Sequence, residues 1–203
     1  MKRLGVLLSG RGSNFLAIRE HIAAGRLAAE IAVVVSDNAA APGLAAARAL
    51  GVPAGHADPS GRTRREYETE LVRILAGHAV DLVVLAGYMR LGGPTLLDRF
   101  AGRILNIHPA LLPAFPGLHA QRQALEHGVR YSGCTVHFVD RGMDTGPIIA
   151  QAVVPVLDDD TEASLADRIL REEHRLYADA IRLVIENEYV MDGRRVVWKI
   201  KKN

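Results

Sequence analysis

Apolar residues fall in two kinds of run along the first half of the chain. Arg3–Ser9 (RLGVLLS), Ile31–Ser36 (IAVVVS), Val52–His56 (VPAGH), Asp81–Gly87 (DLVVLAG) and Arg103–His108 (RILNIH) are short and nearly continuous in apolar character. Such runs predict strands buried on both faces. Between them the spacing turns helical. Asn14 to about Gly25 carries Phe15, Ile18 and Ile22 on one stripe, with Gly25 as a stop signal. Pro42–Gly51 is alanine-rich, Thr63 to about His78 places Tyr67, Leu71, Ile74, Leu75 and His78 at helical spacing, and Pro94–Phe100 is a short helix. Strands alternating with helices predict an α/β fold, a mainly parallel twisted sheet with helices on both faces.

The second half changes pattern. Tyr131–Val139 and Pro147–Val156 read as strands joined by DRGMDTG, too short for a helical crossover, so they are expected to pair antiparallel. A long helix from about Thr161 to Glu188 comes next, with Thr161 and Ser164 as caps after the acidic run at 158–160. VMDGRRVVW closes the chain as a hairpin turning at Asp192–Gly193. No repeat, low-complexity tract or linker interrupts the pattern, and one domain, 1–203, is the expectation.

Composition narrows the classes. The 203 residues are 49% hydrophobic, yet no run reaches the roughly 18 apolar residues of a membrane span. The basic start and apolar run at the N-terminus lead at once into RGSN without a small-residue cleavage site, so the run reads as a first strand rather than a signal peptide. A single cysteine, Cys134, excludes an internal disulfide and fits a reducing, cytoplasmic setting. It lies in a strand-like stretch and reads as a small buried residue. A net charge of +2 argues for neither a nucleic-acid nor a membrane partner. The basic stretches Gly61–Tyr67 and Trp198–Asn203 lack interleaved aromatics and read as a solvated face and a solubilising tail.

Chemistry enters in three places. LLSGRGSNF (Leu7–Phe15) is strand, glycine turn and helix start, with Ser13 and Asn14 suited to capping. Free N–H groups at such a helix start suit a phosphate. The stretch lacks the Lys-Ser/Thr of a P-loop, and Phe15 replaces the third glycine of the dinucleotide fingerprint, which leaves a phosphate monoester or an ordinary capped turn. LNIHPALLPAFPG puts Asn106 and His108 two residues apart at a strand's end, hence on one face, with Pro109, Pro113 and Pro116 stiffening the loop after it. Ligands of open parallel sheets bind at that end, although a satisfied core histidine beside a capping asparagine has the same local appearance. In DRGMDTGPI, Asp144 lies between Gly142 and Gly146, where the backbone can carry a carboxylate into a cleft, or where an ordinary acidic surface turn can form. A carboxylate beside an imidazole favours its charged form and fixes its orientation. With an asparagine donor for an oxyanion and no exposed nucleophile, the three side chains suit direct transfer between two bound substrates. None of the eight histidines forms an HxxxH or HExxH pair, so no metal site is expected. Glu173 falls inside the apolar stripe of the long helix (Leu165, Ile169, Leu176, Ala180, Ile181, Val184 and Ile185), either as a salt-bridged core acid or as an acceptor for ligand hydroxyls.

Five stretches in register, LLSGRGSN, VVLAGYMR, LNIHPALLPAFPG, HFVDRGMDTGPII and REEHRLYADAI, together resemble the phosphoribosylglycinamide formyltransferases of purine biosynthesis over nearly the whole chain. The resemblance implies a Rossmann-like formyltransferase fold, with 1–100 as the phosphate- and ribonucleotide-binding half and 101–203 as the folate-binding and catalytic half. It also implies transfer of a formyl group from 10-formyltetrahydrofolate, as co-substrate, to the amine of glycinamide ribonucleotide. By position it implies Asn106, His108 and Asp144 as the catalytic set, and Gly12, Ser13, Asn14 and Glu173 as ribonucleotide contacts, Glu173 at the ribose hydroxyls. Arg64, Met89, Arg90, Leu91, Gly92 and Asn106 are implied as folate contacts. The expected partners are these small molecules, for a monomer or homodimer. Arg11 and Ala114 stand at variable places. The related formyl-methionyl-tRNA-forming enzymes carry a C-terminal tRNA-binding domain, and formyltetrahydrofolate deformylases an N-terminal regulatory domain. The chain as read opens directly on the first strand and is expected to carry neither, which speaks against both; hydrolysis by the same three residues stays the rival activity, and a non-catalytic folate- or nucleotide-binding protein, against which the intact Asn106–His108–Asp144 set speaks, the rival class.

Overall fold

Five parallel strands organise the first half of the computed structural model, which is described for residues 1–199. They are β1 (Lys2–Leu8), β2 (Ala29–Ser36), β3 (Ala54–His56), β4 (Leu82–Leu85) and β5 (Ile104–His108), in the order β3-β2-β1-β4-β5. The connections hold α1 (Ser13–Ala23), α2 (Pro42–Ala49), α3 (Arg64–Gly77) and α4 (Pro94–Arg99). The strands form because their residues are apolar on both faces: in β1, Gly5 and the flanking Leu4, Val6, Leu7 and Leu8 are all buried, and β4 is buried throughout. The chain divides into two compact units, Met1–Asn106 and the stretch from Ile107 onward, so the division falls inside β5.

In the first unit the chain reverses its direction of travel across the sheet at β1, which has β2 on one side and β4 on the other. The loops leaving the carboxyl ends of β1 and β4 therefore flank a crevice, the usual ligand position in open α/β sheets. Two hydrogen bonds tie these loops: Ser9 N–H donates to Gly87 O (3.1 Å) and Met89 N–H to Ser9 Oγ (2.9 Å).

The second unit contains α5 (Ala120–Glu126), the antiparallel pair β6 (Tyr131–Phe138) and β7 (Ile148–Pro155), the long α6 (Glu162–Glu186) and the hairpin β8 (Glu188–Asp192) and β9 (Arg195–Lys199), with strand order β6-β7-β9-β8. α6 packs on β6 and β7 and buries Leu165, Ile169, Leu176, Tyr177 and Ile181. Each such side chain contributes about 1.5–3 kcal/mol on burial. Its start is fixed by a capping box, in which Thr161 Oγ1 accepts from Ser164 N–H (3.1 Å) and Ser164 Oγ accepts from Thr161 N–H (2.9 Å). Asp160 adds a paired acid beneath it, accepting from Arg168 Nη1 (2.6 Å) and Nη2 (2.8 Å).

The expected α/β class, the mainly parallel sheet and the antiparallel strands of the second half all form. Two local expectations need correction, and one helix leaves no sequence signal: α5 buries only Ala120 and Ala124, and two alanines make no visible stripe. The hairpin turns one position later than expected, at Gly193–Arg194, because Asp192 pairs with Arg195 and Gly193 takes the positive φ of 58°. Trp198 is part of β9, its ring 5.6 Å from that of Tyr189, rather than of a solubilising tail. Lys199 ends the same strand, and residues 200–203 of that basic segment lie outside the described residues.

Candidate active site

The turn after β1 is built on glycine. Gly12 has φ 74°, and a Cβ there would lie 2.9 Å from Gly43 Cα, so the backbones of two loops meet without side chains between them. Gly43 N–H donates to Gly10 O (3.1 Å) and locks the approach. Gly12 is also the N-cap of α1, which corrects the expected role of Ser13 and Asn14: they are its first two helical residues, not caps. The leading N–H groups of a helix have no partner within it, which leaves this start suited to an anion. Gly43 was not singled out from sequence, and only a chain folded back on itself reveals it.

Beside the β4 loop, a cleft of about 350 Å³ is lined by Arg64, Met89, Arg90, Leu91 and Gly92, so the first unit gathers these expected residues at one place. Its floor includes Tyr67 and Tyr88, whose hydroxyls lie 2.6 Å apart, and the Arg90 guanidinium stands 5.1 Å over the Tyr67 ring. Burial pushes both phenols up, Tyr88 well above the ordinary range, so both stay neutral hydrogen-bonding groups. Met89 and Leu91 project outward, 68% and 57% exposed, as an apolar rim with no core to fill.

In the second unit His108 ends β5, buried, with Nδ1 3.4 Å from Asp144 Oδ2. Asp144 adopts a left-handed conformation (φ 54°) in the turn after β6, and its Oδ2 accepts from Gly117 N–H (2.8 Å). The turn is shaped by Asp140 Oδ1, which accepts from Gly142 N–H (3.0 Å) and Thr145 Oγ1 (2.7 Å). His137 belongs to no catalytic or metal-ligand motif in the sequence, yet its Nε2 lies 3.6 Å from Asp144 Oδ1. The β6–β7 register slips between Val136 and His137, a bulge of the kind that re-aims a side chain. One carboxylate thus lies between two imidazoles. The far nitrogen of each ring meets a carbonyl, His108 Nε2 at Phe115 O (2.8 Å) and His137 Nδ1 at Phe138 O (2.9 Å). A carbonyl only accepts, so either ring can donate to Asp144 only when doubly protonated. Burial pushes the Asp144 carboxyl up, but the hydrogen bonds from His137 and Gly117 and the charges of His108 and His137 outweigh it, and the group titrates below its ordinary value.

Asn106 lies two residues before His108 in β5, half-buried and in register with Leu85. Glu173 is buried on α6 at 8% exposure and is not without a partner. The Cys134 thiol is fully buried and pushed up to about 12, first by burial and then by the charges of Glu173 and Glu172, so it is no nucleophile at neutral pH. Among the described residues no group of three or more His, Cys, Asp or Glu side chains could hold a metal ion, and no helix is long and apolar enough to cross a membrane.

The first unit thus places a glycine turn at the switch point of a parallel sheet, and the second sets a carboxylate between two imidazoles, an arrangement of the α/β class. The model of the formyl transferase family matches residues 2–181, and the chain belongs to that family. It is 42% identical over 186 residues to phosphoribosylglycinamide formyltransferase of Bacillus subtilis, covering 91% of this chain and 95% of that one. It is 44% identical over 189 residues to the trifunctional purine biosynthetic protein adenosine-3 of Drosophila melanogaster, and the match covers 91% of this chain but only 14% of that much longer protein. The crystal structure of glycinamide ribonucleotide transformylase 1 from Symbiobacterium toebii is similar at 56% identity with a TM-score of 0.94, over 97% of this chain and 93% of that one. A formyltetrahydrofolate deformylase from Pseudomonas syringae superposes with a TM-score of 0.90 at 27% identity, covering 97% of this chain and 65% of its own.

Proposed function

We propose that this chain transfers the formyl group of 10-formyltetrahydrofolate to the amine of 5-phosphoribosylglycinamide, giving formylglycinamide ribonucleotide and tetrahydrofolate. The observation that carries the proposal is the His108–Asp144 pair, 3.4 Å apart at the end of the strand that also holds Asn106, in a chain of the formyl transferase family. The neutral amine attacks the formyl carbon directly. A tetrahedral intermediate forms, its oxyanion receives hydrogen bonds from Asn106 and His108, and collapse breaks the bond from that carbon to N10 of the folate. The amine loses one proton and N10 gains one. His108 is the group to relay it, and its Nε2 proton must first leave the Phe115 carbonyl. Asp144 holds the doubly protonated ring in place. The inert Cys134 thiol agrees with transfer that forms no acyl-enzyme.

The ribonucleotide phosphate is assigned to Gly12, Ser13 and Asn14, and the ribose hydroxyls to Glu173. The folate is assigned to Arg64, Met89, Arg90, Leu91 and Gly92, with Asn106 at the formyl group. The test is the fate of a ¹³C-labelled formyl group in a single turnover with both substrates present. Label in formylglycinamide ribonucleotide is the expected result. Label in formate would assign the chain to the hydrolases instead.

A further inference from the structure

One buried charge has no part in this chemistry. Glu68, on α3, is 3% exposed, and a carboxylate so far from water is costly unless its oxygens are occupied. Its occupants are all in one place. Oε1 accepts from Gly93 N–H in a short hydrogen bond and from Arg64 Nε (3.3 Å), and Oε2 accepts from Leu96 N–H (3.3 Å). Arg64, one turn earlier on α3, donates from Nη2 to Leu91 O (2.7 Å). Two side chains of one helix therefore hold the segment Leu91–Leu96 with opposite polarity, the carboxylate on its N–H groups and the guanidinium on a carbonyl.

The segment needs this hold. α4 begins with Gly93 at its N-cap and Pro94 at its first position, so it has no side-chain cap of its own. Glu68 supplies the missing acceptor from another helix. Gly93 has φ −101°, so its conformation does not require glycine, but the approach does: a Cβ there would overlap Glu68 Oε1 and press on Arg64 Nε. Just before Gly93 lie Met89 to Gly92, which form one wall of the cleft and belong to no helix or strand. They are tied at one end by Ser9 Oγ to Met89 N–H and at the other by Glu68 and Arg64.

We propose that Glu68 is a positioning residue for the folate site, acting through the Gly93 amide to set the backbone of Met89–Gly92. The proposal rests on the reading that this cleft takes the formyl folate. Its test is a double-mutant cycle of Glu68→Gln and Gly93→Ala, each of which weakens the same contact from opposite sides. Binding of the non-transferring isomer 5-formyltetrahydrofolate is measured by calorimetry, and turnover and thermal midpoint are measured alongside. Each single variant should bind the folate about tenfold more weakly or worse, with kcat at saturating folate and KM for the ribonucleotide within about twofold of wild type. The double variant should bind no more weakly than the weaker single variant, because the second change removes a contact already lost. Losses that multiply in the double variant would overturn the proposal in favour of a direct Glu68–ligand contact. A parallel fall in kcat, both KM values and thermal midpoint would overturn it in favour of a purely structural acid. Wild-type protein that binds 5-formyltetrahydrofolate but transfers no formyl group would remove the transferase reading and leave the Glu68 cycle decisive. Wild-type protein that does not bind it would overturn both.

Discussion

Gly12→Ala adds one methyl group where two loops of backbone meet. The φ of 74° lies in the left-handed region, which costs a residue with a Cβ about 1–2 kcal/mol. The new methyl carbon would stand 2.9 Å from Gly43 Cα and 3.2 Å from Leu8 Cδ2. Leu8 can rotate, but Gly43 is backbone and its amide is held on Gly10 O, so the strain of overpacking adds about 1–3 kcal/mol. The two effects together amount to about 2–5 kcal/mol, a large share of the roughly 5–15 kcal/mol that keeps a domain folded. At about 2–4 °C per kcal/mol for a chain of this size, the thermal midpoint should fall by roughly 4–20 °C. Gly10→Ala is the internal control, because a Cβ at Gly10 meets nothing within 4 Å, and its midpoint should stay near that of wild type. If the helix start holds the phosphate, Gly12→Ala should also raise KM for the ribonucleotide by on the order of tenfold and leave KM for the folate almost unchanged. A midpoint equal to that of Gly10→Ala would refute the packing argument. Equal rises in both KM values would refute the phosphate assignment and leave the loop a structural turn.

Three further substitutions probe other parts of the molecule. Asp144→Asn keeps a residue tolerant of the left-handed backbone but removes the carboxylate between His108 and His137, and should lower the single-turnover rate on the order of 10²-fold. Because the Asp144 carboxyl titrates below its ordinary 3.8, its stabilising effect is complete above that value and is lost as pH falls through the lower folded value. The gap in thermal midpoint between wild type and Asp144→Asn should therefore narrow on going from about pH 6 to about pH 3, and a widening gap would contradict the linkage. Glu173→Gln should weaken ribonucleotide binding by about 1–3 kcal/mol at little cost in thermal midpoint if it meets the ribose hydroxyls, whereas a destabilised variant with normal affinity would make it a core acid. Asp160→Asn breaks the two-pronged contact with Arg168 under the start of α6, so thermal midpoint should fall while both KM values stay as they are, and a change in KM without loss of stability would contradict this role.

What could be seen in the sequence depended on whether the cause was local. The parallel strands were legible because their apolar residues run continuously, and Asn106 and His108 were legible because two polar groups at a strand's end break that run two residues apart. The cap at Thr161 was legible because it directly precedes the helical pattern, whereas Ser164, expected as a second cap, is the third helical residue and the reciprocal partner of a capping box. Three long-range partners escaped. Gly43 faces Gly12 across a fold of the chain, Glu68 reaches amides 25 and 28 residues away, and His137 approaches Asp144 only because a strand register slips. Glu68 left one faint signal, since it shares a helical face with Leu71 and Leu75, but the charged residues around it in RREYETE conceal that stripe. β3 is shorter than its apolar run suggests, beginning at Ala54 after Pro53, which has no N–H to give to a ladder.

Direct passage of the formyl group to the ribonucleotide amine is the central claim. It is tested most directly by the rate at which tetrahydrofolate is released from 10-formyltetrahydrofolate by the purified protein, with and without glycinamide ribonucleotide. Rapid release is expected only when the ribonucleotide is present, matched one for one by formylated product. Release at the same rate in its absence would contradict transfer and show that water takes the place of the amine.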